Sequence, residues 1–551
     1  MKVAEAVGRA LVAAGVGQVF GVVGSGNFHV TNAMVAAGAK FVAARHEGGA
    51  ATMADAYARV GGAVTVVSVH QGCGFTNALT GIGEAAKSRT PLVVLAAEAC
   101  NPRSNFHVDQ GALAEAVGAR SARVTSAADA VAQSYAAVRR AVEERCTVVL
   151  NLPLDVQEQA LDVPGADLAL AAVVPPPPRP AVVPADDDIA ALAEILAHAE
   201  RPVLVAGRGA RGPGCRQALE ALAERCGALL ATSAVARGLF QGNPWSLDVA
   251  GGFSSPLAAE LIQGADVIVA LGCSLTMWTT RHGRLIGPDT TLVQVDDDPA
   301  ALGAHRPVHL GVTGDTLLTA ERTHTALGDR GGPGYRTSAT ADALAARLSW
   351  RDVPYDDTGT RDRIDPRTLS IALDDILPAQ RVIGVDSGNF MGYPTMYLSV
   401  PDEHGLCFTQ AFQSIGLGLA TTIGAALARP DRLAVAALGD GGALMSAVEL
   451  DTVRRLGLPM VIVVYNDDAY GAEVHHFGPH GLPLGTVEFP PTDIAAVARG
   501  YGFDAVTVRT PADLKGVQDW VAGPRAAPLL VDAKVVREHG AWWLEEAFRG
   551  H

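Results

Sequence analysis

One feature limits the fold of this chain more than any other. Along its whole length, short continuous apolar runs alternate with longer stretches of helical spacing. The runs are "GQVFGVVG", "KFVAA", "AVTVVSV", "PLVVLAAEA" and "CTVVLNLP", then "PVLVAG", "ADVIVALG" and "TTLVQVDDD", then "RVIGVD", "RLAVAALGDG", "PMVIVVYND" and "PLLVDAKV". Apolar runs without polar alternation are strands covered on both faces, and strands separated by helices form parallel sheets. The expected fold is α/β, with three doubly wound parallel-sheet domains. Functional residues in such folds lie outside the carboxyl ends of the strands.

Two shifts of composition divide the 551 residues. The tract "VVPPPPRPAVVPADDD" cannot be helix or central strand and reads as an extended linker over 173–188. A second stretch, 326–366, is rich in Gly, Thr, Asp and Arg around one helical island. The expected domains are therefore 1–172, 189–325 and 367–551. A net charge of -15 speaks against a nucleic-acid partner, which needs a basic face. Seven cysteines stand singly with no CxxC pair, as expected of a reduced, cytoplasmic protein. Glu5, Arg9 and Gln18 interrupt any signal-like core, and no apolar run approaches the roughly 18 residues of a membrane span.

The chemistry concentrates at the ends of two neighbouring runs. "LAVAAL", Leu433 to Leu438, reads as a strand and "GDGG", Gly439 to Gly442, as the turn after it. A helix is expected from about Ala443 to Leu456, with Leu444, Met445, Val448 and Thr452 on one apolar face. The next strand, Met460 to Tyr465, ends in Asn466 and Asp467. If the two strands are neighbours, Asp440 and the 466–467 pair converge. Hard oxygen ligands beside glycine-freed backbone are what Mg²⁺ carrying a diphosphate requires. A GDG turn alone is a weak signal; GDG followed by an amide–acid pair 26 residues beyond Asp440 is a much more specific one.

With that spacing, the chain resembles the acetolactate synthase and 2-oxo acid decarboxylase family of thiamine diphosphate enzymes, benzaldehyde lyase included, over nearly its full length. The resemblance implies a pyrimidine-binding, a central Rossmann-like and a diphosphate-binding domain. It implies thiamine diphosphate and Mg²⁺ as cofactors, with Asp440, Asp467 and the carbonyl of Ala469 as metal ligands. Gly439, Gly441, Gly442, Asn466 and Tyr470 would lie against the cofactor. Asp467 departs from the family, which has a second Asn there. Glu47, in "RHEGGAATMADAYARV", matches the acid that faces the aminopyrimidine ring. Ile415, in "AFQSIGLGLATTIGAA", matches the apolar residue that props the cofactor into its bent form, and Gly388 in "VDSGNF" lies in the loop that meets the pyrimidine.

The implied activity is a C–C bond lyase or carboligase acting on a 2-oxo acid through an enamine. Its fate would be attack on an aldehyde or ketone acceptor, as in acetolactate synthases. The alternative is a non-ligating decarboxylase of the benzoylformate decarboxylase type. Gln110, in "NFHVDQGALAEA", matches a residue of the carboligases; Ser25 and His70 match a Ser and a His of benzoylformate decarboxylase; Glu473 stands where pyruvate decarboxylases carry an acid. The absence of a "FDDR" segment, and of a Trp at His476, separates the chain from true acetolactate synthases. The family further implies a homodimer or homotetramer with the site between subunits.

GRGARG, Gly207 to Gly212, is a formal GxGxxG, but no acid ends a clear second strand, so a dinucleotide oxidoreductase is not favoured. Acetolactate synthases hold a non-redox FAD in the corresponding domain and other members leave it empty; the expectation here is an empty cleft. The presence of Glu47 and Asp440 speaks against an inactive regulatory homologue. The C-terminal "REHGAWWLEEAFRGH" fits either a lid or a docking helix.

Overall fold

The computed structural model describes residues 1–161 and 166–547. The last four residues of the C-terminal segment lie outside that range. The chain builds three six-stranded sheets, parallel throughout. The first comprises β1 (Gln18–Gly21), β2 (Lys40–Ala43), β3 (Thr65–Val69), β4 (Leu92–Glu98), β5 (Arg120–Arg123) and β6 (Thr147–Pro153). The second has β7 (Pro202–Ala206), β8 (Leu229–Thr232), β9 (Ser246–Val249), β10 (Val267–Leu271), β11 (Thr291–Asp296) and β12 (Leu310–Thr313). The third has β13 (Arg381–Val385), β14 (Leu406–Phe408), β15 (Leu433–Gly439), β16 (Met460–Asn466), β17 (Asp504–Val508) and β18 (Leu529–Lys534).

Strand orders are β2-β1-β3-β4-β6-β5, β12-β11-β10-β7-β8-β9 and β14-β13-β15-β16-β18-β17. The first and third sheets therefore share one topology. In each, the order reverses where the first strand meets the third: β1 beside β3, and β13 beside β15. Ligands in doubly wound folds bind at that crevice. Residues 173–185 form neither helix nor strand, and the helical island of the second connecting stretch is Ser338–Arg347.

Six strands were not marked by apolar runs, and five of them, β5, β9, β12, β14 and β17, are sheet edges. An edge strand has one neighbour and a half-solvated surface, so "RSAR" or "DAVTV" can serve without a continuous apolar run. The helix after β15 also differs from expectation. It begins at Asp440, ends at Met445, passes through a 3₁₀ turn Ala447–Glu449, and resumes as Leu450–Leu456. Leu444, Met445 and Val448 do not face the sheet; they are 43%, 54% and 45% exposed. Thr452, beyond the 3₁₀ turn, is fully buried, so the break divides that face.

The first and third sheets are joined by the helices Glu47–Gly61 and Gly418–Ala428, which pack through small residues. A Cβ on Gly424 would stand 3.0 Å from that of Ala56 and collide with the Met53 carbonyl. Met53, Phe75, Ile423 and Val464 lie in one continuous core. Each such side chain contributes about 1.5–3 kcal/mol on burial, so the two domains stand as one packed unit.

Candidate active site

The β15–β16 pairing sets Gly439 opposite Tyr465, and this brings the two motif ends together. Asp440 and Asp467 are both buried. Burial, and next the negative charge of Asp467, push the Asp440 carboxyl well above the ordinary carboxylate range; burial raises Asp467 likewise. Neither has an ion-pair partner among the described residues, whereas Asp468 is paired with Arg363 at 2.5 Å. Two buried acids without countercharge must share protons or hold a cation. The donor set, all hard oxygen, fits Mg²⁺.

Asn466 is not part of that set. Its Nδ2 donates to Asp532 Oδ1 at 2.9 Å and its Oδ1 accepts from the Asp468 N–H at 3.1 Å. The Asn466 side chain is thus engaged by the buried Asp532 carboxylate and the Asp468 N–H. Tyr470 closes the turn from outside, since a Cβ on Gly441 would lie 2.5 Å from its ring. A Cβ on Gly439 would stand 3.1 Å from Phe390, and one on Gly442 would collide with the Asp386 carboxylate. The turn consequently presents bare backbone.

Across the crevice, Gly388 adopts φ +140°, a conformation that favours glycine. Gly388, Ile415 and Glu473 line one cavity of about 1610 Å³ that runs to the central domain. Its central-domain wall carries both charges, Arg208, Arg211 and Arg306 with Asp296, Asp297 and Asp315. Arg208 and Arg211 line it, and burial, with Arg59 nearby, depresses both guanidiniums, Arg208 down to about 9. Gly207 and Gly209 of the GxGxxG pack against the backbone of the 272–273 loop, which accounts for both glycines by chain packing.

The first sheet carries the second constellation. Glu47 opens its helix, and its Oε2 accepts from Asn77 Nδ2 at 3.0 Å. A Cβ on Gly74 would stand 3.3 Å from Glu47 Oε1 and 3.0 Å from His70 Cβ, so glycine lets the acid and the imidazole share one face. His70 Nδ1 lies 3.0 Å from the Gln71 carbonyl and therefore donates to it. That leaves Nε2, 3.4 Å from Ser25 Oγ, as the acceptor of the neutral ring. Gln110 is 1% exposed, and both ends of its amide are engaged: Oε1 accepts from the Gly72 N–H at 3.0 Å and Nε2 donates to Asn151 at 2.8 Å. It holds the 70–74 loop.

The C-terminal segment docks beside the cavity. Ala541 N–H donates to Asn389 Oδ1 at 2.8 Å and Trp543 Nε1 to the Asn389 carbonyl at 2.9 Å. Trp542 stacks under the Arg281 guanidinium at 4.4 Å, while Trp543 and Leu544 line the cavity. His475 lies against Gly540, its Nε2 buried without a hydrogen-bond partner among the described residues, and burial lowers its pKa. The His476 ring stands edge-on to Phe477. Sequence reasoning missed Asn77, Asn389 and Asp386. Only Asp386 had a visible signal, an acid directly after an apolar run.

Comparison with known proteins accords with this architecture. Residues 1–119, 189–323 and 386–533 match the thiamine pyrophosphate enzyme N-terminal TPP binding, central and C-terminal TPP binding domains. The chain belongs to the thiamine pyrophosphate enzyme family. It is 32% identical to a probable 2-ketoarginine decarboxylase of Pseudomonas aeruginosa, over 93% of this chain and 89% of that one. It is 28% identical to a probable sulfoacetaldehyde acetyltransferase of Rhizobium meliloti, over 95% and 93%. Its fold matches a thiamine diphosphate-dependent 4-hydroxybenzoylformate decarboxylase of Rhodococcus jostii with a TM-score of 0.81 at 23% identity, covering 98% of this chain and 100% of that one. No helix among the described residues is long and apolar enough to cross a membrane.

Proposed function

We propose that this protein is a Mg²⁺- and thiamine diphosphate-dependent C–C lyase and carboligase acting on a 2-oxo acid, with an aldehyde or ketone as acceptor. The observation that carries it is the pair of constellations at matching switch points: Asp440 with Asp467, and Glu47 with His70 and Ser25. Bound thiamine diphosphate supplies an acidic carbon that adds to the 2-oxo carbonyl and accepts the electron pair left by CO₂. Asp440, Asp467 and the Ala469 carbonyl would hold the metal and, through it, the diphosphate. Gly388 would offer backbone to the aminopyrimidine and Ile415 would support the cofactor from beneath. Glu47 would hold a proton at the pyrimidine ring nitrogen, a strong bond because one partner is charged. Glu473 and the C-terminal Trp543 wall the space next to it.

Decarboxylation without ligation is the second reading, and the Ser25–His70 contact favours it. A protonated His70 can donate from Nε2, the nitrogen that faces Ser25. Gln110, by contrast, is buried with both ends of its amide engaged and would act by holding Gly72. His70→Ala should therefore lower aldehyde release more than ligation, by on the order of 10²-fold. Gln110→Ala should impair both together. The measurement feeds each member of a panel of 2-oxo acids with and without an acceptor aldehyde and compares products. An unchanged aldehyde-to-ligation ratio in His70→Ala would refute the assigned role.

Glu47, His70 and Ser25 do not line the cavity that Gly388, Ile415 and Glu473 line. Apolar side chains stand uncovered on both domains, among them Phe28 at 53% and Met445 at 54%. A homodimer or homotetramer that joins the first domain of one subunit to the third of another accounts for both facts. Light scattering of the active protein is expected to give two or four chains; a fully active monomer would contradict this. In the central-domain cleft, Arg208 and Arg211 carry charge suited to a diphosphate.

A further inference from the structure

The loop Thr409–Leu417 carries Ile415 and belongs to neither sheet. Two fully buried carboxylates seize it from opposite sides. On one flank, Glu84, from the helix Cys73–Lys87 of the first domain, accepts from the backbone N–H of Ala411 at 3.0 Å and of Phe412 at 2.6 Å. Glu84 has no exposed surface, and Arg59 lies 3.5 Å away. Arg59 also approaches Asp55 at 3.2 Å and donates to the Phe408 carbonyl at 2.6 Å, so the strand leading into the loop is held by the same network. A Cβ on Gly83 would stand 2.9 Å from the Phe412 ring, which shows how closely helix and loop approach.

On the other flank, Asp386 follows β13 and is 1% exposed. Its carboxylate accepts from Ser387 N–H at 2.9 Å, from Gly416 N–H at 3.0 Å to both oxygens, and from Leu417 N–H at 3.3 Å. Gly416 takes φ +86° to make that turn, and Gly418 presses on the Asp386 Cβ, where a methyl would come within 2.5 Å. Asp386 also abuts Gly442 of the GDGG turn and precedes Gly388 by two residues. One side chain therefore ties together the pyrimidine-side loop, the Ile415 loop and the diphosphate turn. Backbone amides bound to a buried carboxylate are strong, oriented contacts, and loss of one partner leaves the others unsatisfied.

We propose that Asp386 and Glu84 are positioning residues that fix the height and direction of Ile415. Each acts through the loop backbone without touching the reacting atoms. The proposal rests on the thiamine diphosphate reading for its catalytic consequence, but the clamp itself is testable without cofactor. In cofactor-free Asp386→Asn, hydrogen exchange at Gly416 and Leu417 should accelerate at least about tenfold, as should Ala411 and Phe412 in Glu84→Gln, since weaker contacts open more often. Unchanged exchange at these amides in both variants overturns the clamp.

With thiamine diphosphate and Mg²⁺ added, calorimetry should show a cofactor Kd within about threefold of wild type, because Asp440 and Asp467 are intact. Exchange at the cofactor C2 should fall at least tenfold in each variant. A residue with a merely structural role would lower stability while leaving Kd and C2 exchange alike. The decisive comparison is a double-mutant cycle: Asp386→Asn should have little further effect on C2 exchange in an Ile415→Ala background. Full additivity overturns the action through Ile415. If wild type binds no thiamine diphosphate, the proposed function fails, while the amide exchange still decides the clamp.

Discussion

Glu47→Gln is expected to fold, to bind thiamine diphosphate and metal, and to lose activity by at least about 10²–10³-fold, the usual consequence of removing one preorganised electrostatic partner. The fold should survive because Glu47 is the first residue of its helix, half-buried, and bonded by one side chain, Asn77, which a glutamine carbonyl can still satisfy. Loss of a helix-start charge costs about 0.3–1 kcal/mol, a small change in stability. The catalytic loss has a different origin. Gln cannot share a proton with a ring nitrogen as a carboxylate does, so the activated tautomer of the cofactor is no longer favoured. Proton–deuterium exchange at the cofactor C2, followed by NMR, isolates this step from substrate binding. Exchange as fast as in wild type would remove Glu47 from the mechanism.

Asp440→Ala is expected to abolish metal-dependent cofactor binding and, in the same protein, to leave the cofactor-free fold as stable as wild type or more so. The two effects follow from one geometry. Asp440 and Asp467 are buried together with no ion-pair partner among the described residues; burial and the Asp467 charge make Asp440 costly to ionise, while a hydrogen bond from Asp440 favours the ionised Asp467. Removing Asp440 relieves the cost of burying its carboxyl, a trade of function for stability. It also halves the carboxylate donors, and Mg²⁺ dehydrates reluctantly without them. Thermal unfolding gives the test. Wild type should gain stability on addition of Mg²⁺ and thiamine diphosphate together, about 2.7 kcal/mol at a hundredfold excess over Kd. Asp440→Ala should gain none, and Asp440→Asn an intermediate amount. A metal-dependent gain in Asp440→Ala equal to that of wild type would displace Asp440 from the metal site.

Much of the site was legible because its signals are local. The strand from Leu433 announces itself by apolar composition, the GDGG turn by glycine, and the interval to Asp467 by the length of one crossover. Buried parallel strands need continuous apolar runs, so every interior strand except β8 could be read directly. The sequence by itself therefore determined the α/β class, the three units, and which strand ends carry acids and glycines.

Tertiary structure alone decided what those residues do once packed. Gln110 and Asn466 have the right chemistry for a ligand, yet both spend their amides on buried neighbours, Asn151 and Asp532. No spacing rule reveals such partners, because they lie 41 and 66 residues away. The same holds for Glu84, whose carboxylate meets amides some 330 residues further on. Edge strands escaped because one-sided pairing tolerates polar residues, and the helix expected over 443–456 is divided by a 3₁₀ turn that leaves Leu444 exposed. Apolar pattern and glycine turns are properties of a segment. The partner of a buried polar group is a property of the fold, set by which distant atoms arrive to satisfy it.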